Sequence, residues 1–394
     1  MDPSELKAEI CDSVDALADD LLRVSREIHA NPELAFEEHA AAALLTLTLE
    51  NGGFDVERGI CGLETAFRTE FGSPGACVAL LAEYDSLPHI GHACGHNLIA
   101  TSSLGAGLAL AGLGDRLPGR VRILGTPAEE QGCGKELMAR QGAFDGVDAA
   151  LMMHPASINL AHMPCIAMAE VNVTYHGRSA HAAAMPERGV NALDALVIAY
   201  QGIAALRQHI PVGQRIHGII TDGGQAPNIV PERTAGRFYV RAANFGDLTA
   251  LKQRVEGCFQ AGAQATGAEV DVAWGEADYR DFLFNAPLAE AFRANAEQLG
   301  REFVPFEKLP ASFAGSTDMG NISYRVPSIH PMLASAPLHC TIHNPEFEKW
   351  AGSDMGERAT LDGAKALAMT ALDFLFDESL RRRARDFFET ELGE

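Results

Sequence analysis

The chain has 394 residues, 47% of them hydrophobic and 21% charged, which supplies a sizeable core and excludes bulk disorder. Its 53 acidic residues outnumber its 31 basic ones, for a formal net charge of −22. That balance argues against a nucleic-acid binder, whose affinity comes from basic neutralisation of phosphates, and against docking on an anionic membrane surface. The longest apolar stretches, such as 40–45 and 104–113, fall short of the ~20 residues a helical span needs. The charged first residues carry no apolar run, so no signal peptide is expected. Eight cysteines without a C-x-x-C pair read as mostly reduced thiols of a cytoplasmic chain.

Leu6, Ile10, Val14, Leu17, Leu21 and Val24 recur at helical spacing and predict one amphipathic helix over 4–29. A second helix, 36–50, ends at Gly52-Gly53. Strands over 64–70 and 76–82 are divided by the turn signal Gly72-Ser73-Pro74-Gly75. A buried helix rich in small residues follows over 98–111, where Gly105 and Gly107 mark helix packing rather than a dinucleotide loop. The short apolar runs 121–125 and 149–153 predict strands buried on both faces. Strands separated by helices imply an α/β architecture, a mostly parallel sheet flanked by helices. Near residue 167 the pattern changes. Residues 170–175 and 237–241 alternate apolar and polar, which predicts an antiparallel sheet with one wet face. Helices over 189–209 and 247–265 are expected to cover its other face. Residues 168–278 are therefore expected to form an inserted α+β domain, and 1–167 with 279–394 a discontinuous α/β domain. The basic run Arg381–Arg385 reads as a solvated helix face.

The chemistry gathers behind the predicted strands. Asp85, Cys94 and His96 follow the strand ending near Ala82, and the single Gly95 lets the thiol and imidazole face one point. Thiolate and imidazole suit zinc-like ions, and a carboxylate such as Asp85 commonly orients a ligating histidine. Glu129 and Glu130 follow the strand 121–125, and His154 follows 149–153. Each feature alone has a bland reading: an incidental loop, a solvated acidic pair, a structural histidine. Together they put metal-competent residues at one edge of one sheet, the edge where α/β proteins place their sites. The surplus of ligands over the four of a closed structural zinc site points to a catalytic dinuclear centre, in which paired ions hold a water and polarise a carbonyl.

The runs Glu83-Tyr84-Asp85-Ser86-Leu87-Pro88, Gly91-His92-Ala93-Cys94-Gly95-His96-Asn97 and Thr126-Pro127-Ala128-Glu129-Glu130 resemble the zinc-dependent metallopeptidases and amidohydrolases that include aminoacylase, carboxypeptidase G and hippurate hydrolase. The branch they most resemble is that of aminobenzoyl-glutamate hydrolase and Xaa-Arg dipeptidase. The resemblance implies that Cys94, His96, Glu130, His154 and His343 hold two divalent ions, with zinc first and manganese or cobalt as alternatives. It implies Glu129 as general base, Asp85 as support of the metal site, His181 as a substrate-reaching histidine and oxyanion partner, and Asn228 and Arg241 as substrate-binding residues. His339 and His330 lie near His343; the family's His-x-Pro pattern selects His343. Asn97 stands where hippurate-type relatives carry Asp, and Tyr84 and Ser86 depart from that pattern too. The implied activity is amide hydrolysis of a small dipeptide or N-acyl amino acid by a homodimer formed through the inserted domain. The competing expectations are a catalytically silent binding protein of the same fold and a chain whose zinc is structural.

Overall fold

The computed structural model describes residues 2–308 and 314–393. The N-terminal periodicity is realised as two helices, α1 (Pro3–Ala16) and α2 (Ala18–Ala30), so the single helix expected over 4–29 is corrected by a break at Leu17. Asp19 and Asp20 fill the first turn of α2, where the helix dipole favours negative charge and a new start is stabilised. Next come α3 (His39–Asn51), β1 (Glu57–Arg58), β2 (Phe67–Gly72), β3 (Cys77–Ala82), α4 (His96–Ala111), β4 (Arg120–Gly125), α5 (Gly134–Arg140), β5 (Ala149–Leu151) and β6 (His154–Ala156). The middle of the chain supplies β7 (Ala167–His176), α6 (Ala192–Leu206), β8 (Arg215–Asp222), β9 (Arg233–Ala242), α7 (Phe245–Thr266) and β10 (Glu269–Trp274). The last third adds α8 (Ala286–Gln298), α9 (Met319–Ser323), β11 (Ser328–Ile329), β12 (Met332–Ala334), α10 (Pro345–Ala351), α11 (Asp354–Phe376) and α12 (Glu378–Leu392). Cys165–Asp281 with Ala314–Ser316 form one compact unit, and the chain before and after them forms the other.

The outer unit is built on a sheet ordered β1-β2-β4-β3-β5-β11. Its strands β4, β3, β5 and β11 run parallel, while β2 joins β4 antiparallel and β1 joins β2 antiparallel. All six residues of β3 are buried, the mark of a strand covered on both faces. The small residues of α4 have a packing reason. A Cβ on Gly107 would sit 2.2 Å from Ile123 Cδ1, and one on Gly105 would sit 2.8 Å from Leu21 Cδ1, so the helix lies close on β4 and α2. The core around them includes Leu80, Leu104, Val121, Ile123 and Leu367, each fully or almost fully buried and worth roughly 1.5–3 kcal/mol. On α12, Arg381 donates from Nη1 to the carbonyls of Phe374 (2.9 Å) and Leu375 (2.6 Å), covering the C-terminal end of α11. The adjacency of β4, β3 and β5 brings their carboxyl ends to one edge of the sheet, and the loops leaving that edge carry the candidate site.

In the inserted unit an antiparallel sheet is ordered β10-β7-β9-β8. Along β7 the residues Ala167, Ala169, Val171, Val173 and Tyr175 are buried, and the alternate positions are not. Leu196, Ala199 and Ile203 of α6, with Leu251, Val255 and Phe259 of α7, pack against that apolar face. Among the described residues no helix is long and apolar enough to cross a membrane.

Candidate metal centre

Cys94 and His96 flank Gly95, which adopts φ 79° and caps α4; a Cβ there would lie 2.6 Å from Pro155 Cγ. The turn that only glycine accommodates thus sends the thiol and the imidazole into the same space. Cys94 Sγ lies 3.3 Å from His154 Nε2 and 3.3 Å from His343 Nε2. His343 Nε2 is also 3.3 Å from Glu130 Oε1. The His343 backbone is left-handed, φ 64°, and its N–H donates to the Ala93 carbonyl at 2.8 Å, which fastens this late loop to the cysteine loop. His154 is the first residue of β6, paired with Met332, not the last residue of β5. Its Nδ1 lies 2.7 Å from the Pro155 carbonyl, which places the proton on Nδ1 and leaves the Nε2 lone pair facing Cys94.

Asp85 joins two parts of the site. Its Oδ1 is 3.0 Å from His96 Nδ1, and its Oδ2 accepts from the Glu130 backbone N–H at 2.9 Å. His96 Nε2 then faces carboxylates on three sides: Glu83 Oε1 at 3.4 Å, Glu130 Oε1 at 3.8 Å and Glu129 Oε2 at 3.9 Å. Ala128, just before the acidic pair, is held at φ 60°, and its N–H donates to the buried Glu38 carboxylate at 2.8 Å. Backbone strain of this kind persists where the surroundings over-determine it.

The donor atoms fit a divalent cation. Those of Cys94, His96 and His154 lie within 4.8 Å of one another, as do those of Cys94, Glu130 and His343, and those of Glu83, His96 and Glu129. The mixed sulfur, nitrogen and oxygen set suits zinc and other borderline ions. His96 Nε2, Glu130 Oε1 and Glu83 Oε1 are buried without a hydrogen bond among the described residues. Each such atom costs about 1–3 kcal/mol, a burden a cation would remove. Burial, with Glu130 close by, pushes the Cys94 thiol well above its ordinary range, so a cation is what would make it a thiolate. Burial also pushes His154 down to about 4, leaving a neutral imidazole ready to ligate. Glu129 is pushed well above the usual carboxylate range by burial and by the charges of Glu83, Glu130 and Asp318. Burial opposes the charge of Glu130 too, but the nearby imidazoles of His343 and His96 hold it below that range.

Four positions gain an importance that their local sequence does not convey. Lys135, completely buried, donates from Nζ to Glu83 Oε2 at 2.5 Å and to Asp318 Oδ1 at 2.6 Å. Its backbone N–H donates to Asp318 Oδ2 at 2.8 Å. Within its motif Glu83 carries no role that the sequence assigns, and nothing around Lys135 or Asp318 marks them. Glu38 is equally unmarked, although it receives the Phe36 and Ala128 N–H groups and the Thr65 hydroxyl. The departures from the hippurate-type pattern face structural duties: Tyr84 Oη donates to the Thr65 carbonyl, Ser86 Oγ to the Glu33 carbonyl, and Asn97 Nδ2 to Ser25 Oγ and the Ala351 carbonyl. His339 is exposed and pairs with Glu346 at 3.3 Å. His330 is buried beside His154, ring centroids 5.2 Å apart, but lies outside the donor groups.

The remaining candidates are carried by the inserted unit. His181 and Asn228 are both exposed, and backbone pairing brings them together: Ala182 N–H donates to the Asn228 carbonyl at 3.0 Å beside a bridge between His181 and Ile229. His181 Nδ1 accepts from the Ala183 and Ala184 N–H groups at 3.3 and 3.2 Å, which leaves Nε2 as its donor. Arg241, on β9, is half-buried and donates from Nη1 to Ser316 Oγ at 2.8 Å. Burial holds its guanidinium below the ordinary range.

Residues 79–372 match the model of Peptidase family M20/M25/M40. The chain is 41% identical over 406 residues to the Xaa-Arg dipeptidase of Mus musculus, covering 99% of this chain and 93% of that protein. It is 26% identical to a p-aminobenzoyl-glutamate hydrolase subunit of Escherichia coli (strain K12), covering 95% and 93%. Among solved structures, an aminobenzoyl-glutamate utilization protein from Klebsiella pneumoniae shares the fold with a TM-score of 0.76 at 18% identity, covering 93% of this chain and 98% of that one. A dinuclear metal-binding peptidase of Bacillus subtilis does so with a TM-score of 0.67 at 20% identity, covering 92% and 99%.

Proposed function

Since the chain belongs to peptidase family M20/M25/M40, and is an amide-bond hydrolase by that membership, we propose that it cleaves small dipeptides or N-acyl amino acids at a centre holding two divalent cations, zinc first and manganese or cobalt as alternatives. The observation that carries this reading is the sharing of Cys94 by two donor groups, His96 and His154 on one side and Glu130 and His343 on the other. A thiolate between two such groups suits a pair of ions. Bound cations supply Lewis acidity toward the amide carbonyl and make a water acidic enough to attack near neutral pH.

The chain's own residues carry the proton. Glu129, whose buried setting raises its proton affinity, takes the proton of the attacking water and passes it to the leaving amine nitrogen. Asp85 keeps His96 turned with Nε2 toward the site and anchors the Glu130 backbone. The Nε2–H of His181 is assigned to the developing oxyanion, within its own subunit or across a dimer. Arg241, paired with a hydroxyl rather than a carboxylate, is assigned to the substrate carboxylate, and Asn228 to a nearby hydrogen bond.

A homodimer through the inserted unit is supported by the edge strand β8, which exposes Ile219 (63%) and Ile220, and by Val197 and Ile198 exposed on α6. All eight cysteines are free, which supports a reducing, cytoplasmic setting. Among substrates, an Xaa-Arg dipeptide comes first on the 41% identity to a dipeptidase of that name. The test is a turnover screen on metal-quantified protein with Xaa-Arg dipeptides, other dipeptides, N-acyl amino acids and aminobenzoyl-glutamate. Amine release fastest from Xaa-Arg dipeptides supports the reading, and release from none of them overturns it.

A further inference from the structure

Glu83 is the one member of the three donor groups that the two-cation reading does not use, apart from the proton-carrying Glu129. Its side chain has no exposure, and its two oxygens are treated differently. Oε2 is committed to Lys135 Nζ at 2.5 Å, and Lys135 is in turn locked by two bonds to Asp318. Oε1 has no hydrogen bond among the described residues and points to His96 Nε2, 3.4 Å away, which has none either. Both atoms are fully buried, so neither is satisfied by bulk water. Two unpartnered atoms facing each other across a gap longer than a good hydrogen bond describe two donors aimed at a common third body. The surrounding charge agrees. Glu83, Glu129 and Asp318 set three carboxyl groups around the single ammonium of Lys135, and Asp85 and Glu130 add two more at the one imidazole of His96, an imbalance that a cation would offset.

We propose that Glu83 is a further metal donor, giving one oxygen, Oε1, to the ion held on the His96 side. Lys135 and Asp318 fix the carboxylate so that Oε2 is withheld and the contact is monodentate. The inference rests on the two-cation reading and adds a donor to it. The ion on the His343 side, held by Cys94, Glu130 and His343, does not depend on Glu83.

The test is metal content by mass spectrometry together with calorimetric zinc titration of the metal-free protein, for wild type, Glu83→Gln and Glu83→Asp. The Gln variant keeps an oxygen for Lys135 but removes the negative charge. The Asp variant keeps the charge for Lys135 and withdraws the carboxylate by one methylene, so it carries the test if the Gln variant fails to fold. Wild type is expected to bind two ions, and each variant to keep one at unchanged affinity and bind the other on the order of 10–100-fold more weakly. Two ions at wild-type affinity in the folded variants overturn the proposal while leaving the two-cation reading intact. A wild type that binds fewer than two ions contradicts the two-cation reading itself, and the added donor with it.

Discussion

The two units hold their candidate residues in opposite ways. In the outer unit Glu83, Asp85, Cys94 and His96 are buried in the stretch that leaves β3 and enters α4, and a second contact fixes nearly every one of them. In the inserted unit His181 and Asn228 are exposed on loops, and only Arg241 sits on a strand. The difference teaches what each task demands. Donors for a cation must be desolvated and held before the ion arrives, because a misplaced ligand loses most of its value. Groups that greet a substrate need only be donors of the right kind within reach. Substitutions in the outer unit should therefore change chemistry, metal content or stability, and substitutions of Asn228 and Arg241 in the inserted unit should change substrate affinity.

The largest effect is expected from Glu129→Gln, which should lower kcat about 10²–10⁴-fold while metal content stays at the wild-type value. Steady-state kinetics beside metal analysis separates a lost base from a lost ligand. Next is Lys135→Met, which leaves Glu83 and Asp318 as unpaired buried charges and should destabilise the chain by about 3–5 kcal/mol in urea unfolding. A change under about 1 kcal/mol would mean that those carboxyls find other compensation. Arg241→Ala should raise KM roughly 10–100-fold with little change in kcat, the loss of a charged hydrogen bond of about 1.5–3 kcal/mol. An effect on kcat alone would move Arg241 out of substrate binding. The smallest effect is expected from His339→Ala, which should leave metal affinity unchanged because His339 is exposed and paired with Glu346, whereas His343→Ala should weaken it.

The same contrast explains what could be read from the sequence. Cys94-Gly95-His96, the Glu129-Glu130 pair and the apolar runs before them are local, and each strand end announces itself by the change from apolar to polar residues. His343 could be selected only by family pattern, because its partners Ala93 and Cys94 are remote in sequence, Cys94 by 249 positions. Lys135 and Asp318 were not legible: they lie 183 residues apart, and a single lysine in a Gly-Lys-Glu run reads as a solvated side chain, since lysine is seldom fully buried. Glu38 is hidden for the same reason, its acceptor role toward Ala128 being 90 residues distant. The antiparallel direction of β2 escaped because an apolar run states burial and not polarity of the strand. The break at Leu17 escaped because the apolar stripe and the helical hydrogen bonds on either side continue through it.

The central claim is amide hydrolysis at the cation centre built on Cys94, His96, Glu130, His154 and His343. Its most direct measurement is amine release from an Xaa-Arg dipeptide by protein stripped with a chelator, then titrated with zinc while bound metal is counted. Turnover should be absent from the stripped protein and return as the centre fills, and a Glu129→Gln protein filled to the same level should stay slow. Full turnover by protein shown to hold no metal would contradict the account.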